Sequence, residues 1–225
     1  MDRNQQSPAE FVDAIARTLY TAVLSDVLDE LGYRRQAFPP SIRPLDDELV
    51  LVGFARTGIY REVCQALPGD NPYELEIKLI DSLGPRDVVV LGCGGSQRIA
   101  PWGELLTTAS RVRGATGCVT DGFVRDIKAI RKAGFPVYHG GIAPLDSKGR
   151  GKVAEIDVPI MCAGVEVAPG DLVVGDADGV IVVPRTIESV ALERALKKVD
   201  GEDRTREALL RGVALRDVFA EYNVL

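Results

Sequence analysis

The 225-residue chain is poor in several groups that catalytic sites often use. It has one histidine, His139. That excludes any metal site built from several histidines, and a Ser/His/Asp or Cys/His mechanism would have to run through this single ring. In Tyr138-His-Gly-Gly141, His139 is expected to end a strand and to pack or hydrogen-bond locally. There are four cysteines, Cys64, Cys93, Cys118 and Cys162, and no two form a C-x-x-C pair. A zinc ribbon is therefore not expected, and the four read as core or near-surface thiols. Any bound metal would have to be held by carboxylates and water, which points to a hard ion such as Mg2+ or Mn2+. No apolar run approaches the length of about 18 residues that spans a membrane. The polar start MDRNQQSPAE has no apolar signal stretch, so a cytoplasmic protein without a membrane partner is expected. Basic residues are not in excess: 27 Lys and Arg against 33 Asp and Glu give a net charge of −6, which argues against nucleic acid as a partner.

What is present is the composition of a soluble globular domain, 46% hydrophobic and 27% charged. The chain is long enough to bury a core unaided. Phe11, Ile15 and Leu19 mark one helix, and Val27, Leu28 and Leu31 mark a second that Gly32 ends. Leu49 to Thr57 alternates as a strand, with Val50, Val52 and Phe54 on one face. Asn71-Pro72 reads as a helix start, with Leu75, Leu79, Ile80 and Leu83 as its buried stripe. Asp87 to Leu91 has the wholly apolar run of a strand buried on both faces. A helix over Glu104–Arg113, a strand near Cys118–Thr120, a helix over Asp126–Ala133 and a strand over Pro136–Tyr138 follow, which is an α/β order. Val165 to Val174, the Asp176-Ala-Asp-Gly179 turn and Val180 to Val183 predict a hairpin. After Pro184, helices run to the end, with Ile187, Val190, Ala191, Ala195 and Val199 on one stripe and Leu209, Leu210, Val213 and Val218 suggesting another.

Three motifs resemble known binding loops and fall short. Val90-Leu-Gly-Cys-Gly-Gly95 looks like the glycine turn that binds S-adenosylmethionine. The acid expected at the end of the next strand is missing, with Arg111 and Arg113 in that region. Asp176-x-Asp-Gly lacks the later glutamate of a calcium loop. Ser147-Lys-Gly-Arg-Gly-Lys152 lacks the first glycine of a phosphate loop and reads as a surface loop, or as a basic loop near an anionic substrate.

The chemistry concentrates in Pro101-Trp-Gly-Glu-Leu-Leu106 and Thr120-Asp-Gly-Phe-Val-Arg-Asp126. Each segment follows a predicted strand and precedes a predicted helix, where ligands of open α/β sheets collect. Backbone N–H groups from Gly103 to Leu106 at a helix start favour a carboxylate or enolate oxygen. Arg125 can hold a carboxylate through two hydrogen bonds. Asp126 can ligate a hard metal, and Glu104 can hold a metal-bound water. Singly, Glu104 and Asp126 also suit the first turn of a helix, and Arg125 suits a structural ion pair. Lys128 and Lys132 fall among charges on a predicted helix and do not suit a Schiff base.

This stretch resembles the RraA-like family, of the 4-hydroxy-4-methyl-2-oxoglutarate aldolase type. The shared signature is an acid, twenty residues, then Arg-Asp: here Glu104, then Leu105 to Val124, then Arg125-Asp126. The resemblance extends to Thr21–Gly32, Gly53–Thr57, Gly134–Val137, Asp146–Arg150 and Pro169–Val180. It implies an α/β fold, an α/β/β swivelling-type sandwich domain over residues 1–185, with a C-terminal helical tail over 186–225 that packs between subunits of a homotrimer or hexamer. It implies a metal-dependent lyase that cleaves a 4-hydroxy-2-keto acid to pyruvate and a second 2-keto acid, with a side activity as an oxaloacetate decarboxylase. Gly103, Glu104, Leu105, Leu106 and Arg125 would bind the substrate, and Arg125 and Glu104 would act in catalysis. Asp126 would bind Mg2+ or Mn2+ directly and Glu104 through water, and a metal-organised water would take the hydroxyl proton. A neighbouring subunit can supply a further carboxylate, for which Glu202 and Asp203 are candidates. The rival implied by the same resemblance is a non-catalytic regulator that binds and inhibits a ribonuclease; such members lack the aspartate after the arginine, and Asp126 is present.

Overall fold

A computed structural model describes residues 8–65, 69 and 71–223. The segment before Pro8, on which the absence of a signal stretch was partly read, lies outside them. Helices α1 (Pro8–Thr18) and α2 (Thr21–Glu30) lead into a short strand β1 (Arg43–Pro44) and a long one, β2 (Leu51–Glu62). Then come α3 (Glu74–Asp81), β3 (Asp87–Gly92), α4 (Glu104–Val112), β4 (Gly117–Val124), α5 (Ile127–Ala133) and β5 (Val137–Ile142). Four short strands and a fifth follow: β6 (Gly151–Ile156), β7 (Ile160–Cys162), β8 (Val165–Val167), β9 (Leu172–Asp176) and β10 (Gly179–Val183). Helices α6 (Glu188–Leu210) and α7 (Leu215–Tyr222) end the chain.

The strand order is β1-β5-β4-β3-β2-β9-β10, with β6 also on β2. Strands β2 to β5 run parallel, as helical crossovers require, while β9, β10 and β6 pair antiparallel. Twelve residues let β2 act as a hub: its start pairs β9, its end pairs β6, and β3 lies along its other edge. The chain between α2 and β2 then joins the two sheet edges. Phe38 N–H donates to Val180 O at 2.9 Å and Val182 N–H to Gln36 O at 2.9 Å, while Arg43 and Pro44 pair with His139 and Tyr138. The α/β class and C-terminal helices hold, and the sheet curls into a nearly closed barrel.

Three apolar cores follow from this curl. Helices α1, α2 and the first half of α6 cover β2, β9 and β10 through Phe11, Leu24, Leu28, Ala191 and Leu192. Helices α3 to α5 cover β3 to β5 through Leu79, Ile80, Ile130 and Trp102. Inside the barrel, Leu51, Val90, Val119, Tyr138 and Val182 meet the β7–β8 hairpin through Ile160, Cys162 and Val167. The expected tail is thus part of the body over its first turns, because Ala191 and Ala195 complete the first core. Leu209, Leu210, Val213 and Phe219 remain exposed, whereas Val218 is buried.

Several local expectations shift. Val50 precedes β2 and is exposed, so Val52 and Phe54 alone of that trio face the helices. Asn71 forms a turn, its Oδ1 accepting Tyr73 N–H at 3.0 Å, and α3 starts three residues later at Glu74. Val165 to Val167 pairs with Ile160 to Cys162 and leaves only Leu172 to Val183 for the expected hairpin. Gly151 and Lys152, read as loop, open β6. Cys93, Cys118 and Cys162 are buried and Cys64 is exposed.

Candidate active site

The two informative segments meet because Ile99 to Trp102 runs alongside the end of β4. Phe123 N–H donates to Ile99 O at 2.9 Å and Arg125 N–H to Trp102 O at 3.0 Å. Trp102 is fully buried and stacks on Phe135, with ring centroids 6.2 Å apart. Its indole N–H donates to Thr107 Oγ1 at 2.9 Å, and Thr107 Oγ1 donates to Gly103 O at 3.0 Å. This fixes Gly103 as the N-cap of α4. A side chain there would collide: a Cβ would lie 2.8 Å from Asp126 Oδ2 and 3.2 Å from Arg125 Cγ.

Gly103, Glu104, Leu105, Leu106, Arg125 and Asp126 line one cleft of about 320 Å3. Asp126 adopts left-handed backbone angles, φ 59 and ψ 31, at the head of α5. Aspartate pays a modest steric cost there, the kind of local strain often found at functional sites. Its Oδ2 accepts Glu104 N–H at 3.3 Å and lies 3.8 Å from Arg125 Nε. Arg125 donates to Leu145 O at 3.2 Å and sits 3.8 Å from Asp146. These contacts hold the guanidinium at the mouth of the cleft, with its side chain 40% exposed. The N–H groups of Leu105 and Leu106 belong to the first turn of α4, where backbone donors have no acceptor within the helix. Oxyanion binding by a helix start plus an arginine is the chemistry this arrangement supports.

Among the described residues, no cluster of three His, Cys, Asp or Glu comes together to hold a metal. Asp126, half exposed, and Glu104, whose Oε1 accepts from Thr108 at 2.9 Å, offer two hard carboxylates instead. That donor set fits a cation that binds through one or two carboxylates and retains several waters, as Mg2+ does.

The cleft also contains Ser147, the first residue of the loop read as basic, and residues to which the sequence assigns no role: Tyr73, Glu76, Ile77 and Asp146. Glu76 is buried, and the Tyr60 hydroxyl donates to its Oε2. Burial raises its carboxyl to about 7; the Tyr60 bond and Arg125 oppose this, and Asp146 adds to it. Burial acts in the same direction on Asp146, but Tyr73, backbone N–H groups and Arg125 together hold that carboxyl below its ordinary range. The Tyr73 hydroxyl, 2.9 Å from Asp146 Oδ2, is pushed up to about 12 by burial and by this bond. One signal was available: Glu76 lies three and four residues before Leu79 and Ile80, on the apolar stripe of α3, where an acid is out of place.

Other candidates go elsewhere. An acid that follows the glycine turn is present within β4, as Asp121, at a bulge between Thr120 and Phe123. Its carboxylate accepts N–H from Cys93, Gly95 and Ala163, so it fastens the turn to the β7–β8 hairpin. His139 is buried outside the cleft, its Nδ1 without a partner, and burial lowers its pKa. Glu202 accepts from the Tyr20 hydroxyl, and Asp203 pairs with Arg206. Ser147 is a buried part of the cleft wall rather than a surface residue.

The RraA-like family profile, Aldolase/RraA, matches residues 21–182. The chain belongs to this family. It is 37% identical, over 90% of this chain and 89% of the relative, to a Halalkalibacterium halodurans protein named "Putative 4-hydroxy-4-methyl-2-oxoglutarate aldolase". It is 34% identical to the Thermus thermophilus protein named 4-hydroxy-4-methyl-2-oxoglutarate aldolase, over 48% of this chain and 65% of that one. In structure it is similar to Streptomyces coelicolor RraAS2, described as an unusual member of the RNase ES inhibitor RraA protein family. There the TM-score is 0.77 at 28% identity, covering 88% of this chain and 96% of that one. The RraA-like family thus spans proteins named as aldolases and proteins named as inhibitors of RNA processing. No helix among the described residues is long and apolar enough to cross a membrane.

Proposed function

We infer that this RraA-like chain is a carbon–carbon lyase. Its substrate is 4-hydroxy-4-methyl-2-oxoglutarate or a related 4-hydroxy-2-keto acid, its products are pyruvate and a second 2-keto acid, and oxaloacetate is decarboxylated at the same site. The observation that carries this reading is the meeting of Arg125, Asp126 and the start of α4 at one cleft. Arg125, held by Leu145 O and Asp146, grips the substrate carboxylate. The N–H groups of Leu105 and Leu106, with the positive end of α4, take the charge that grows on the 2-keto oxygen as the C3–C4 bond breaks. Ile77, Pro101 and Trp102 give the carbon chain an apolar wall. A divalent cation, Mg2+ or Mn2+, held by Asp126 directly and by Glu104 through water, would supply Lewis-acid stabilisation of the same oxygens. Gly103 keeps the space that lets Arg125 and Asp126 lie against the helix start.

The proposal includes assembly as a homotrimer or hexamer, for which Ile77, Leu105 and Val112 offer exposed apolar surface on α3 and α4. The alternative, a regulator that binds a ribonuclease without catalysis, has the names of structural relatives in its favour. The test is pyruvate release from 4-hydroxy-4-methyl-2-oxoglutarate and from oxaloacetate, with Mg2+ and with EDTA. Release that EDTA abolishes is expected. Release indifferent to EDTA would remove the metal from the scheme. Silence with both compounds, together with tight binding of a ribonuclease, would replace the lyase by the regulator.

A further inference from the structure

Resting on that lyase reading, we propose that Glu76 is the proton-transfer residue of the cleft: its carboxylate accepts the proton of the substrate 4-hydroxyl and its carboxylic acid then delivers that proton to C3 of the pyruvate enolate. The step balances within the substrate. The O–H bond at C4 breaks, its electron pair forms the new C4=O bond, and the C3–C4 pair is left on the enolate. The proton carried by Glu76 then forms the third C–H bond of the pyruvate methyl group. No oxidant, reductant or second acid is needed.

Position argues for this role. Glu76 lies in the wall of the cleft that also contains Arg125 and Asp126, yet its side chain is buried, so bulk water does not supply the proton in its place. One carboxyl oxygen, Oε2, takes the Tyr60 hydroxyl, which anchors the group in the cleft wall. Every other acid near the reacting atoms has another task. Asp146 is tied to Tyr73, Arg125 and the Lys148 N–H. Glu104 is tied to Thr108, and Asp126 to the start of α4. The groups facing Glu76 are Tyr60 from β2, Asp146 from the loop after β5 and Arg125 just past β4; burial raises its carboxyl to about 7, Asp146 adds to that, and the Tyr60 hydroxyl and the Arg125 guanidinium oppose it. A group that must alternate between base and acid within one turnover works best at such a value.

The experiment compares wild type with Glu76→Gln, whose amide oxygen still accepts the Tyr60 hydroxyl. Three readouts are taken: cleavage of 4-hydroxy-4-methyl-2-oxoglutarate, exchange of pyruvate methyl protons with D2O followed by NMR, and loss of oxaloacetate. Cleavage and methyl exchange should each fall by about 100-fold or more, the range general acid–base groups contribute, with KM changed by less than about threefold. Oxaloacetate loses CO2 with no hydroxyl proton to remove, so its consumption should stay within about fivefold of wild type. Glu76→Asp, which keeps an acid on a shorter arm, should recover part of the exchange rate. Wild-type cleavage and exchange in Glu76→Gln would overturn the assignment and leave the lyase reading intact. A parallel fall of all three activities would also overturn it, since that marks a damaged site. A wild-type protein inert toward every substrate would remove the lyase reading itself, and this inference with it.

Discussion

Gly103→Ala isolates the geometry of the cleft from its chemistry, because it adds one methyl group and removes nothing. The backbone at Gly103 is extended, with φ −157 and ψ −170, so alanine meets no conformational strain. The methyl carbon would stand 2.8 Å from Asp126 Oδ2, 3.2 Å from Arg125 Cγ and 3.3 Å from Arg125 Nε, where ordinary contact begins at 3.4 Å. The aspartate oxygen must therefore retreat by about 0.6 Å, and the arginine by a few tenths of an ångström. Both side chains are partly exposed, 50% and 40%, so they swing outward without opening the core. Alanine is a poorer N-cap than glycine, a loss of about 1 kcal/mol, or about 2–4 °C in the melting temperature of a chain this size. The effect on rate is larger. A displacement of about 1 Å in a positioned group costs about 100-fold. Moving Arg125 and Asp126 together should thus lower kcat/KM by about 10- to 100-fold, equivalent to about 1.4–2.7 kcal/mol of transition-state stabilisation. Pyruvate release coupled to NADH oxidation measures the rate, and a thermal scan measures the fold. Activity within about threefold of wild type in a folded Gly103→Ala protein would refute the placement of the site. A loss that comes with a drop of 10 °C or more would refute the claim that the substitution acts locally.

Asp126→Ala should lower pyruvate release by at least about 100-fold at saturating Mg2+, with the melting temperature nearly unchanged; a variant that retains a tenth of the activity would sink the assignment of Asp126 to the metal. Asp121→Ala strips three backbone N–H groups of their acceptor. Each unmet group costs about 1–3 kcal/mol, so thermal unfolding should shift down by roughly 10 °C, and a shift below about 2 °C would show that water replaces the carboxylate freely. Glu76 imposes a pH dependence on stability. Its folded carboxyl, at about 7, lies above the ordinary 4.5, so its favourable contribution is complete below pH 4.5 and is lost as pH rises through 7. Wild type should lose up to about 3 kcal/mol over that window relative to Glu76→Gln, measured by denaturant unfolding at pH 5 and pH 8. Equal pH profiles for the two proteins would show that Glu76 is not buried as an acid.

How far the site could be read before the fold was known depended on distance along the chain. Arg125-Asp126 and the Gly103-Glu104 step each declare a helix start after a strand, because caps, turns and apolar runs are local signals. Twenty residues of strand and helix between Glu104 and Arg125 are one crossover, so the two ends had to return to the same edge of a parallel sheet. The same locality explains the errors. A bulge at Asp121 changes which way a side chain points within one residue, and nothing in the run Thr120-Asp-Gly-Phe announces it. The short β6, β7 and β8 have no periodicity long enough to separate strand from loop.

By itself, then, the sequence determined the alternation of strands and helices, the pair of helix starts that meet at the cleft and the family to which the chain belongs, since each is written in residues close together or at one fixed spacing. The tertiary structure alone decided the closure of the sheet through residues 36–44 and the gathering of Tyr73, Glu76 and Asp146 about Arg125, with Tyr60 bound to Glu76. Those four side chains come from β2, the approach to α3, α3 itself and the loop after β5. Only the packing of α3 over the end of β2 makes them neighbours, and only the burial that packing creates gives an ordinary glutamate a proton to exchange at neutral pH.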